Sequence, residues 1–167
     1  MITLKVDEVG FEEIIRRSFE FLYRPGILPH GTRKSGGSDP RDSSIVSRFT
    51  NEDLQLEIGW SNIELSLAIL IKYNIPKLSS NKRFVYFEPF IEFITNGEQI
   101  PLVPYISEKM SVRNIEDVIS MRRSIFAKGL EDVTVQLGYK LQDFLPRVES
   151  SSADEILAYH DWISSIV

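Results

Sequence analysis

The chain has 167 residues, 43% hydrophobic and 26% charged, with 19 basic against 24 acidic side chains and a net charge of −5. That length and composition fit one globular domain able to bury its own core. The absence of cysteine excludes disulfides and thiolate metal sites, and the acidic balance argues against nucleic acid, which needs a basic face to displace its counterions.

The opening stretch, MITLKVDEVGFEEIIRR, carries acids by its seventh residue and no long apolar region, so it is not read as a secretory signal. Residues 2–6, ITLKV, alternate and fit a short strand. Over 7–24 the period changes. Phe11, Ile14, Ile15, Phe19 and Leu22 form one helical stripe, Asp7 and Glu8 suit its positive end, and Pro25-Gly26 stops it.

PHGTRKSGGSDPRDSS (29–44) comes close to a phosphate loop, but Gly37 stands where the lysine belongs. The segment also leaves a helix and enters a strand, the reverse of what a phosphate loop needs. It is read as a solvated connection, with His30 a loop residue.

SIVSRFT (44–50), DLQLEIGW (53–60) and NIELSLAILIKY (62–73) place apolar residues at every second position, including Leu54, Leu56, Ile58, Trp60, Ile63, Leu65, Leu67, Ile69 and Ile71. Period two with one apolar face predicts a meander of antiparallel strands covered on one side. No run is long and apolar enough to span a bilayer; IELSLAILIKY is interrupted by Glu64 and Lys72. FVYFEPFIEFI (84–94) reads as an aromatic strand that Pro89 confines to an edge, bulge or break. Asn96-Gly97 signals a hairpin. From Ser111, a plausible N-cap, a long helical stripe runs through Ile115, Val118, Ile119, Phe126, Leu130, Val133 and Leu137 to a stop at Gly138, with Gly129 able to bend it. YKLQDFLPRV continues irregularly, and SADE (152–155) opens a last helix as a capping box.

Few residues point to chemistry. Two histidines cannot make a histidine metal triad, and His160 and Asp161 are neighbours on a helix whose side chains diverge by about 100° per residue. Glu57 and Glu64 fall on neighbouring predicted strands, on the polar face, where two carboxylates can hold a cation or act as acid and base. Tyr86, Phe87, Phe90 and Phe93, with Tyr105, fit either core packing or an apolar pocket. No catalytic constellation, metal site or cofactor site is identified, so a non-catalytic role is expected. The excess negative charge gathers toward the carboxyl end in Asp143, Glu149, Asp154, Glu155 and Asp161, the candidate partner-binding residues.

The order of an opening helix with an aromatic tail (FEEIIRRSFEFL), an alternating meander (IVSRFTNEDLQLEIGW, IELSLAILI), an aromatic segment, a long helix and VTVQLGYKLQDFLPR resembles bacterial immunity-type proteins of toxin–immunity loci, including those of contact-dependent growth inhibition. The likeness spans roughly residues 7–147 and lies in the pattern, so no functional residue is carried over. It implies a protein that neutralises a toxin, commonly a basic nuclease, by covering its active site with acidic groups that stand in for phosphates. The expectation is a single α+β domain over 1–167, with an antiparallel sheet of about four to six strands and N-terminal and long C-terminal helices on one face. The expected role is a cytoplasmic immunity protein with a protein partner, no nucleic acid and no membrane. The alternatives are a ligand-binding or regulatory module, or an assembly component of a phage or secretion system.

Overall fold

A computed structural model of the chain describes residues 6–35, 44–106 and 110–166. The fold is α+β, with five α-helices and one five-stranded antiparallel sheet in the order β1-β2-β3-β4-β5. The strand expected over 2–6 lies almost wholly outside the described residues.

Helix α1, Glu8–Ser18, begins where Asp7 Oδ1 accepts the Gly10 N–H at 2.7 Å and buries Phe11 and Ile15. A 3-10 turn, Glu20–Leu22, carries Phe19 and Leu22 into the core before Gly26, at φ +92°, reverses the chain. Strand β1, Leu28–Ser35, follows. This corrects the reading of 29–44 as a loop: its first part is an edge strand paired with β2, and 36–43 lie outside the described residues. The strand hid because only Thr32 of Leu28–Lys34, apart from the exposed residues, is partly covered, so no apolar alternation marks it. Gly31 at φ +79° takes up a register shift between Pro29 and Thr32, which lets turn-forming residues sit in a ladder.

The meander forms as expected, from β2 Ser44–Thr50, β3 Leu54–Ser61 and β4 Ser66–Tyr73. Residues 62–65 turn instead of extending β4, with Leu65 at φ +49°, which leaves Ile63 exposed. Ile45, Phe49, Leu56, Ile58, Trp60, Ile69 and Ile71 share the buried face.

The 84–94 segment is not one strand. β5 is Phe84–Tyr86 only, and helix α2 spans Phe87–Ile94. Pro89 sits in the first turn of α2, where the N–H it lacks would have no helical partner. Asn96-Gly97, at φ +51° and +82°, ends α2 rather than turning a hairpin, with Gly97 N–H donating to Glu92 O at 2.8 Å. A left-handed pair serves either purpose. Residues 101–104 form no strand.

The expected long helix is two helices, α3 Val112–Ile125 and α4 Leu130–Glu149, broken at Gly129 with φ +115°. Ser111 caps α3 by accepting the Asn114 N–H at 3.2 Å. Gly138 is not a stop. It lies inside α4 against α1, and a Cβ there would sit 2.0 Å from the Ser18 carbonyl oxygen. α4 also continues regularly through Pro146. Helix α5, Ala153–Ile166, starts with Ser152 Oγ accepting the Glu155 N–H at 3.2 Å. Only that half of the expected capping box forms, because the Glu155 carboxylate goes elsewhere.

Helices cover one face of the sheet. The packing includes Trp60 edge-on to Phe126 at 4.9 Å and Tyr23 edge-on to Phe49 at 5.3 Å. The Tyr73 hydroxyl donates to Val148 O at 2.9 Å and ties β4 to the end of α4.

Candidate functional site

The five carboxylates singled out from the sequence lie on α4 and α5, but they are not equivalent. Arg147 donates to both oxygens of Glu155, one contact at 2.8 Å, and this pairing holds the Glu155 carboxyl below its ordinary pKa. Glu155 therefore fastens α5 to α4. Asp143, Glu149, Asp154 and Asp161 are exposed and form no salt bridge among the described residues. Asp154 and Asp161, seven residues apart, share one stripe of α5.

The two cations of α4 are engaged elsewhere. Lys140 of α4 is buried against Glu88 at 3.2 Å, Arg147 is held by Glu155, and α5 has no lysine or arginine. The Glu88–Lys140 pair joins residues 52 positions apart, so no local spacing in the sequence signals it. Glu88 also accepts the Leu102 and Val103 N–H groups at 2.7 and 3.3 Å, and Lys140 donates to Ile100 O at 2.9 Å. Arg122, 5% exposed, donates to Pro104 O and Glu64 O at 2.8 and 2.9 Å. Together these charges pin residues 100–104, a segment without regular structure, to α2, α3 and α4.

The remaining candidates resolve into structural roles. Glu57 and Glu64 do not converge. Glu57 lies mid-strand in β3, bonded to Arg48 and Gln55, and Glu64 lies in the 62–65 turn. Phe87 and Phe90 are core, Phe93 packs between Phe90 and Trp162, and Tyr86 stays 49% exposed. The rings contributed by α5, Tyr159 and Trp162, complete this cluster, and burial pushes the Tyr159 hydroxyl pKa up. His30, on β1 rather than in a loop, bonds Thr50 Oγ1 at 2.7 Å. His160 Nε2 meets Lys82 O at 3.1 Å, and its ring stands edge-on to Phe84. Burial and the neighbouring Lys82 charge lower its pKa. Among the described residues, no three histidine or carboxylate side chains group to hold a metal, and no helix is long and apolar enough to cross a membrane.

Among the described residues, no helix or strand covers the face of the sheet turned away from the helices. Pairing aligns its residues in cross-strand rows: Arg33, Val46, Gly59 and Ala68; then Arg48, Glu57, Leu70 and Tyr86; then Thr50, Gln55, Lys72 and Phe84. Arg48, Glu57 and Leu70 of the second row and Gln55, Lys72 and Phe84 of the third, with Ser80, line a concavity of about 500 Å³. No family model matches the chain, and comparison with curated proteins and with solved structures finds no significant match.

Proposed function

We propose that this chain is a non-catalytic binding protein of the immunity type, neutralising a toxin domain by laying its acidic α4–α5 surface over a basic active site. The carrying observation is that Asp143, Glu149, Asp154 and Asp161 are exposed while both cations of α4 are engaged elsewhere. A negative field of that kind steers a basic partner and disfavours acidic ones. The resemblance in element order supports the same reading, and with it a cytoplasmic location.

The test is a pull-down of the tagged protein from its host lysate at low salt, with mass spectrometry of what is retained. The expected result is one stoichiometric partner carrying a basic toxin-like domain. Asp154→Lys with Asp161→Lys should weaken its retention about tenfold or more, as for a lost set of charge contacts, with the melting midpoint nearly unchanged. Equal retention by the double variant would remove α5 as the contact surface.

A further inference from the structure

We propose that the concavity on the open sheet face is a second binding site, taking an acidic segment of a partner polypeptide, and that it works independently of the α4–α5 surface. The strand residues of this face carry three cations, Arg33, Arg48 and Lys72, against one carboxylate, Glu57, in a chain whose net charge is −5. The open face is thus locally basic on an acidic molecule.

Glu57 and Arg48 offset one another, which leaves Lys72 as the net positive charge among the residues lining the concavity. Glu57 Oε1 already accepts from Arg48 Nε at 3.0 Å and Nη2 at 2.8 Å and from Gln55 Nε2 at 2.9 Å. That pairing holds the Arg48 side chain across the floor. Lys72, exposed and lining the same concavity, has no hydrogen-bond or salt-bridge partner among the described residues. Lys72 Nζ, Gln55 and the Ser80 hydroxyl supply donors, and Leu70 and the Phe84 ring supply an apolar wall. The Phe84 ring packs against His160, 6.0 Å away and edge-on.

A carboxylate beside Lys72 with an apolar neighbour against Leu70 and Phe84 matches this set in charge and polarity. The occupant is an extended chain rather than a free acid, because the floor is an open sheet that continues over Ala68, Gly59 and Val46. A small ligand wants enclosure on most sides. Gly59 and Ala68 keep that continuation low enough for a backbone to lie across it.

The experiment is an amide-resolved NMR titration of the full chain with the peptide acetyl-Ala-Glu-Phe-Glu-Ala-amide, its Gln-for-Glu counterpart, and 3-phenylpropionate. Saturable shifts at residues 48, 55, 57, 70, 72 and 84 with the acidic peptide, about tenfold weaker with the Gln peptide and in Lys72→Gln, are expected. A conservative Lys72→Arg variant should retain binding. Overturning results are no saturable shift there, equal affinity for the Gln peptide, or full affinity in Lys72→Gln. Binding of 3-phenylpropionate as tight as the peptide would overturn the peptide assignment. Concentration-dependent self-association abolished by Lys72→Gln would do the same by giving the site to a second copy.

Discussion

At Gly138 the helix α4 backbone approaches α1 so closely that a single methyl group has no room. The Cβ of an alanine there would meet the Ser18 carbonyl oxygen at 2.0 Å, whereas at Gly59, on the open sheet face, it would make ordinary contacts with Val46 Cγ2 at 3.7 Å and Ile45 O at 3.8 Å. Gly138→Ala should therefore cost about 3 kcal/mol or more, the upper end of overpacking, and Gly59→Ala less than about 0.5 kcal/mol in either direction. Urea midpoints of the two variants check this, and comparable midpoints would contradict the close approach. His160 is the second residue with a measurable signature. Its folded-state pKa lies below the ordinary 6.5, through burial and the Lys82 charge, opposed by hydrogen bonds to Lys82 and Phe84 backbone and by Asp161. The unfolded chain takes the proton first, so the stability held by the neutral ring is full above about pH 6.5 and is lost as pH falls toward the lowered value. The melting midpoint should drop between about pH 7.5 and pH 5.5, and drop less in His160→Gln; equal drops would assign the effect to other groups.

At the scale of elements, the segment 100–104 has neither strand nor helix to hold it, so its backbone groups depend on Glu88, Lys140 and Arg122. Removing one member of a buried pair leaves the other charge uncompensated, a cost of about 3–5 kcal/mol. Lys140→Met should lose that much and should open 97–106 to limited proteolysis before the rest of the chain unfolds. Adding Glu88→Gln to it should restore part of the loss, by relieving the orphaned carboxylate, and a strictly additive double variant would show that the two groups do not act as a pair. The elements readable in advance were those with one wet face. Strands 44–73 alternate because helices cover one side only, and α1 and α5 show caps and stripes for the same reason. The misread elements broke the link between burial and period. β1 is exposed on nearly all sides, and α2 buries Phe87, Glu88, Pro89, Phe90 and Ile91 in succession, so neither shows the alternation or stripe that a half-buried element must show. Glycine punctuation was ambiguous in the same way, since Gly129 breaks a helix and Gly138 permits contact between two.

The whole molecule divides its charge between two faces. Among the described residues, Asp132, Asp143, Glu149, Asp154 and Asp161 of α4 and α5 are exposed and in no salt bridge, and the strands of the open sheet face carry their cations around a single engaged acid. The acidic end was visible in the sequence because its residues are neighbours along the chain. The basic face was not, because Arg48, Gln55, Lys72 and Phe84 meet only through strand register. Salt separates the contributions of the two faces. Attraction between exposed charges decays over about 8 Å at physiological ionic strength, so the proposed capture of a basic partner through α4 and α5 should weaken steeply as salt rises. The peptide proposed to lie against Leu70 and Phe84 should lose less, because part of that contact is apolar.

The edges of the sheet bear on what such a bare face costs the molecule. A sheet uncovered on one side is at risk of growing by recruiting strands from other copies. Here Pro29 offers no donor, the irregularity at Gly31 breaks the ladder's repeat, and Arg33 and Lys34 set like charges against a second β1. At the opposite margin β5 is three residues long, too short to template a partner. Lateral polymerisation is blocked at both ends, so the open face can remain wet and available without turning the molecule into the seed of a fibre.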